Sequence, residues 1–157
     1  MNKVIFLDRD GVINRETGNY VYNLKDFVIN DGLEQALNIW STEGYSFVIV
    51  TNQGGISKGL YHKNDVEDIN VFLRNWFESR KLNLLNILYC PHHNAVEHCI
   101  CRKPNSLMLE KIIARYDVSV NHSFMIGDSD RDVQAANKVG LRGFKIKANS
   151  NLNKLIL

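Results

Sequence analysis

The sequence has no long hydrophobic run, no block of basic residues and no cysteine outside one short segment, and each absence removes a class of protein. No apolar window approaches the roughly 20 residues that span a bilayer, so no membrane segment is expected. The N-terminal run Val4-Ile5-Phe6-Leu7 is too short for the apolar core of a secretory signal, which makes the expected location cytoplasmic. Lysines and arginines are scattered and the formal charge is only +2, too little for a nucleic-acid surface, although an anionic small molecule stays open as a ligand. Cys90, Cys99 and Cys101 are an odd number in one segment of a chain expected in a reducing compartment. That argues against a disulfide framework and makes metal binding the first alternative.

What is present is ordinary for a folded domain: 45% hydrophobic and 23% charged residues in a chain of 157. Residues 1–157 are expected to form a single domain with a continuous core, acting as a monomer. Val4–Leu7 reads as a buried strand ending at an acidic turn. Leu33, Ala36, Leu37 and Trp40 recur at helical spacing, with Asp31 as the expected cap and Gly44 as the stop. Ser46–Val50 and Leu84–Tyr89 read as further strands on either side of a helix from about Lys63 to Arg80, one face of which carries Val66, Ile69, Leu73, Trp76 and Phe77. A helix through Leu107, Ile112 and Ile113, a strand Ser123–Ile126 and a helix from Asp130 to Val139, stopped by Gly140, complete the pattern. Alternating strands and helices predict an α/β fold with a doubly wound, Rossmann-like parallel sheet, whose ligands gather at the carboxyl ends of the strands. The tail Leu155-Ile156-Leu157 is expected to dock on the body.

Chemistry-bearing residues fall at those strand ends. Asp8 and Asp10 follow the first strand; one carboxylate can attack phosphorus while the other carries the proton for the leaving oxygen. Thr51, Asn52 and Gln53 follow the second strand, and the Thr51 hydroxyl with nearby backbone N–H groups can bind phosphoryl oxygens. Asp128 follows a later strand and can join Asp8 as an oxygen ligand for Mg²⁺. Taken singly, Thr51 reads as a strand-end cap and Asp128 as a helix cap. Lys103 can pair with a phosphoryl group and with Asp8, and Arg102 can fork two hydrogen bonds to another substrate oxygen. In the loop of residues 90–101, Cys90, Cys99 and Cys101 with one histidine can close a tetrahedral zinc site with no position left for water, a structural role. His92, His93 and His98 are all available by position.

In order and placement, Asp8-x-Asp10, Thr51, Lys103 and Asp128 with Asp132 resemble the four motifs of the haloacid dehalogenase superfamily across residues 3–147. More closely, Phe6-Leu7-Asp8-Arg9-Asp10-Gly11-Val12-Ile13-Asn14, Thr51-Asn52-Gln53-Gly54-Gly55-Ile56 and Cys101-Arg102-Lys103-Pro104 resemble the family of D-glycero-D-manno-heptose 1,7-bisphosphate 7-phosphatases and histidinol phosphatases. No second run of strands or helical hairpin is available to build a cap domain, so an open site is expected. The resemblance implies a phosphatase with an aspartyl-phosphate on Asp8 and acid/base work by Asp10. It further implies Mg²⁺ held by Asp8, the backbone carbonyl of Asp10 and Asp128, with Asp132 supporting from behind, and zinc held by Cys90, His92, Cys99 and Cys101. The substrate, a small phosphorylated metabolite, is expected against Arg9, Asn52, Gln53, Gly54 and Arg102, with Glu16, Thr17, Gly18 and Tyr20 at the sugar end. The stretch Gln53–Gly59 favours heptose, whereas the short gap between the zinc-ligand pairs is closer to the histidinol phosphatases. Heptose bisphosphate is the leading expectation and histidinol phosphate the alternative; a phosphate-binding module without turnover and a partner-binding zinc loop are the readings outside enzymes.

Overall fold

A strand alternates its side chains between two faces, so one covered on both sides is apolar at nearly every position, and β1 (Lys3–Leu7) is such a strand. In the structure, a computed structural model that describes residues 1–155, Ile5 and Leu7 enter one buried cluster and Val4 and Phe6 another. The same split divides β2 (Tyr45–Asn52), with Phe47 and Ile49 on one face and Val48 and Val50 on the other. Helices α1 (Leu33–Thr42) and α2 (Lys63–Ser79) cover the first face through Leu33, Leu37, Ile69, Leu73 and Phe77. Helices α3 (Leu107–Arg115) and α4 (Asp130–Lys138) cover the second through Met108, Leu109, Ile112, Ala135 and Ala136. Each fully buried Leu, Ile or Phe contributes about 1.5–3 kcal/mol relative to exposure, so these two layers are the main source of stability.

With β3 (Leu84–Cys90), β4 (Phe124–Gly127) and β5 (Arg142–Lys145), the sheet has five parallel strands in the order β3-β2-β1-β4-β5. Strand order reverses between β1 and β4, and at such a switch point the loops leaving the two strands part to open a crevice. Asp8 leaves β1 and Asp128 leaves β4 at that crevice. The expected α/β sheet is therefore the observed one, and among the described residues no capping domain roofs it. No described helix is long and apolar enough to cross a membrane.

Two details differ from expectation, and a third, the docking of the tail, holds as far as it is described. Asp31 does not cap α1: Gly32 holds the N-cap position at φ 76°, with no side-chain cap, and a Cβ there would collide with Asn151 of the segment that packs behind it. The short edge strand β5 has no counterpart in the sequence pattern. Of the tail, Leu155 packs against the first core cluster, while Ile156 and Leu157 lie outside the described residues.

Candidate active site

The first acidic motif is placed by the sheet and shaped by a glycine. The backbone N–H of Asp8 donates to the carbonyl of Ile126 (3.0 Å), tying the end of β1 to β4. The chain then turns back, with Ile13 and Asn14 donating to the carbonyl of Arg9, and reaches Gly11 at φ 85°. A Cβ on Gly11 would stand 2.2 Å from an Asp128 carboxylate oxygen, so this glycine is what lets the first loop approach the second.

Lys103 is the hub. Its ammonium is buried and donates to Asp8 Oδ1 (2.9 Å), Asp132 Oδ1 (2.6 Å) and the carbonyl of Val50 (2.7 Å), which uses all three of its N–H bonds. Burial alone lowers its proton affinity, but the charges of Asp8 and Asp132 outweigh it and keep the lysine charged. Asn52 holds the backbone beneath it from both sides: its amide donates to the Lys103 carbonyl (3.0 Å), and its oxygen accepts from the Lys103 N–H (3.0 Å). Asn52, expected against the substrate and on the cleft wall, therefore also locates the lysine. The peptide bond from Lys103 to Pro104 is cis. Asp132 is buried, its second oxygen accepting from the Ser129 N–H (3.1 Å) and hydroxyl (2.8 Å) at the start of α4.

Asp10 is held by three donors. Arg9 Nη2 (2.9 Å) and Asn14 Nδ2 (3.0 Å) donate to Oδ1, and Gln53 Nε2 (3.0 Å) donates to Oδ2. The same Gln53 nitrogen donates to the Thr51 hydroxyl oxygen (2.9 Å), and Gln53 Oε1 accepts from the Tyr61 hydroxyl (2.7 Å). Arg9 is only 1% exposed and also donates to the carbonyl of Val21 (2.6 Å). Its guanidinium is thus drawn into the protein and off the cavity wall, contrary to its expected place against the substrate, because Asp10 and Val21 give it acceptors inside.

These groups line an open cleft of about 530 Å³. Its wall carries Asp8, Asp10, Thr51, Asn52, Gln53, Gly54, Arg102, Lys103 and Asp128, with Glu16, Gly18 and Tyr20 across the mouth. Thr17, like Arg9, is not on the wall. The wall also includes His93, a zinc-ligand candidate by position, and Asn19, Val21, Ser129 and Arg131, for which the sequence suggests no role. Arg131 lies in the first turn of α4, one residue before Asp132, and its spacing from Asp128 was the available signal. Arg102 is 9% exposed and anchored by Nη1 to the His92 carbonyl (2.9 Å); burial and then the nearby charge of Arg131 lower its proton affinity.

The donor sets fit two different cations. Asp8, Asp128 and Asp132 bring carboxylate oxygens within 4.8 Å of one another, a hard-oxygen cluster of the kind Mg²⁺ takes. Burial pushes Asp8 up to about 7, against the pull of Lys103, with Asp132 and Asp10 adding repulsion; Asp128 is raised by burial and then by Asp132. A divalent cation relieves this crowding of negative charge. Since Asp132 is occupied by Lys103 and Ser129, Asp8 and Asp128 are the freer donors. In the second cluster, Cys90, His92, Cys99 and Cys101 meet, with Sγ–Sγ separations of 3.6 and 3.1 Å and His92 Nδ1 at 3.4 and 3.3 Å from two sulfurs. A tetrahedron of ~2.3 Å zinc–sulfur bonds has edges of about 3.8 Å, so a zinc ion fits with slight expansion. His92, rather than His93 or His98, joins the cysteines: His93 faces the cleft and His98 is exposed. The Arg102 N–H donates to Cys99 Sγ (3.3 Å), so the zinc loop and the basic pair share one peptide.

Comparison with known proteins agrees with this geometry. Residues 100–153 match the family model described as HAD-hydrolase-like. The chain is 34% identical, over 92% of its length and 82% of the relative, to the D-glycero-alpha-D-manno-heptose-1,7-bisphosphate 7-phosphatase of Photorhabdus laumondii. It is 37% identical, over 95% of its length and 80% of the relative, to the D-glycero-beta-D-manno-heptose-1,7-bisphosphate 7-phosphatase of Haemophilus influenzae. The crystal structure of the D,D-heptose 1,7-bisphosphate phosphatase from B. bronchiseptica, complexed with magnesium and phosphate, superimposes with a TM-score of 0.85 at 31% identity, covering 97% of this chain and 84% of that one.

Proposed function

The chain belongs to the D-glycero-D-manno-heptose-1,7-bisphosphate 7-phosphatase family of haloacid dehalogenase hydrolases, and from that premise we propose that it removes the 7-phosphate of a heptose 1,7-bisphosphate. The observation that carries this reading is the convergence of Asp8, Asp10, Lys103 and Asp128 on one open cleft.

An Asp8 oxygen attacks phosphorus in line with the sugar oxygen, and the phosphoryl group passes to Asp8. Asp10 gives the leaving oxygen its proton, then takes one from the water that releases phosphate. Thr51 and nearby backbone N–H groups hold the phosphoryl oxygens. Lys103 keeps Asp8 aimed through its 2.9 Å bond and lends positive charge to the site. Asp8, Asp128 and the backbone carbonyl of Asp10 would hold magnesium, which when bound would neutralise charge between the carboxylates and the phosphate. Cys90, His92, Cys99 and Cys101 would hold zinc, which when bound would fix the loop from which Arg102 and Lys103 emerge. Gly54, Arg102, Glu16, Gly18 and Tyr20 face the rest of the sugar, while Gln53, expected among them, spends its side-chain polar atoms on Asp10, Thr51 and Tyr61. Residues 1–157 act as one domain, a cytoplasmic monomer, on a small phosphorylated metabolite.

Phosphate release from both anomers of heptose 1,7-bisphosphate and from histidinol phosphate tests the substrate. The expected ranking places a heptose bisphosphate first by kcat/KM; the short zinc loop favours histidinol phosphate, and a clear preference for it reverses the assignment. Asp8→Asn is expected to lower kcat on the order of 10⁴-fold or more with the fold retained. Turnover that survives this substitution removes Asp8 as the nucleophile.

A further inference from the structure

The strand-end residue Gln53 is joined to Tyr61, a side chain with no place in the reaction described above. Tyr61 is 3% exposed and Gln53 2% exposed, and the bond between them measures 2.7 Å. The room for it is made by Gly55, where a Cβ would stand 2.1 Å from the Tyr61 ring. Tyr22 stacks on that ring at 5.1 Å with an interplanar angle of 7°, so the phenol is held from the other side as well.

Counting donors gives this contact a direction. A side-chain amide has one acceptor oxygen and two N–H bonds. Tyr61 donates to the oxygen, and the two N–H bonds go to Asp10 Oδ2 and to Thr51 Oγ1. Burial pushes the Tyr61 hydroxyl up to about 12, so it retains the proton it donates. On Asp10, Oδ1 already accepts two hydrogen bonds, from Arg9 and Asn14, which occupy both its lone pairs. Oδ2 accepts one, from Gln53, and keeps one lone pair free.

We propose that Asp10 carries its proton on Oδ2 and that Tyr61, acting through Gln53, is a positioning residue that aims this oxygen at the leaving group. Without the hydroxyl, Gln53 Oε1 is left buried with no donor, a loss that favours rotation of the amide. Rotation turns the carbonyl toward Asp10 and removes the Gln53 donor from Oδ2. The relay therefore orders the proton carrier from a phenol that does not touch it.

This inference rests on the phosphatase reading above, and the leaving group separates the two. A sugar alkoxide leaves poorly and needs the proton from Asp10, whereas p-nitrophenolate leaves well without it. Tyr61→Phe keeps the ring and its packing. Its kcat/KM is expected to fall about 5–10-fold on heptose bisphosphate and less than about twofold on p-nitrophenyl phosphate, with unchanged thermal unfolding. Gln53→Met is expected to show the same selective loss, and adding Tyr61→Phe to it is expected to lower activity no further, as for two residues acting in series. Equal losses on the two esters, no loss on either, or additive losses in the double variant overturn the relay while leaving the phosphatase assignment standing. Absence of wild-type turnover on both esters overturns both.

Discussion

The carboxylate cleft and the cysteine loop are both suited to hold a cation, yet they are organised in opposite ways. The cleft draws Asp8, Thr51 and Asp128 from the ends of three different strands, and Lys103 is locked among them by bonds to Asp8, Asp132 and Val50. Its geometry is a by-product of a buried sheet. The cysteine loop draws all four ligands from residues 90–101, where Val96, His98 and Ile100 are exposed and only Cys90 is rooted in a strand. A loop with so little core depends on its ligand for shape, as small zinc modules do. The lesson is that one metal acts on a site already built, whereas the other builds the site's edge.

Breaking the cleft from within gives the largest stability effect. Lys103→Met leaves Asp8 and Asp132 as buried charges without a partner, a loss of about 3–5 kcal/mol by urea unfolding at pH 8 without magnesium. Burial already holds Asp8 up to about 7, above its ordinary value of 3.8, and loss of the lysine raises it further. A group raised on folding costs stability as pH climbs through its folded value, so the deficit shrinks toward pH 5 as the carboxylate takes up its proton. A deficit independent of pH counts against this account. Stripping zinc with a chelator comes next: Tm falls by about 5–10 °C, at 2–4 °C per kcal/mol, and amide exchange speeds up across 91–106 while β1 and β2 stay protected. Uniform loss of protection across the sheet erases the contrast between the two regions. The smallest effect is a control: Lys145→Ala removes the exposed 2.9 Å pair with Asp130 and costs under about 0.5 kcal/mol, because solvent screens it. A larger cost shows that surface charge also shapes this end of the sheet.

Much of this was legible in the sequence because strand ends announce themselves. Apolar runs stop where Asp8, Thr51 and Asp128 begin, and alternation of strands and helices puts those ends on one side. The choice among three histidines was not legible, since spacing allows any of them, and only the folded loop turns His92 inward. β5 was hidden because Arg142-Gly143-Phe144-Lys145 has a single large apolar side chain and lies at an exposed edge. Arg9 looked like a substrate contact because it sits between two reactive aspartates; its length lets it fold inward to Val21 instead. Tyr61 gave no signal of its own, and the one hint was Gly55, whose missing side chain leaves the space that the Tyr61 ring takes.

The three acceptors around the Lys103 ammonium are a carboxylate on either hand and a main-chain oxygen beneath. Such a socket is read in three dimensions by a tetrahedral head and misread by a flat one, so arginine, though equally positive, cannot substitute. The position distinguishes two residues of like sign by shape alone, and the lysine reaches the phosphate through its field, having no bond left to give.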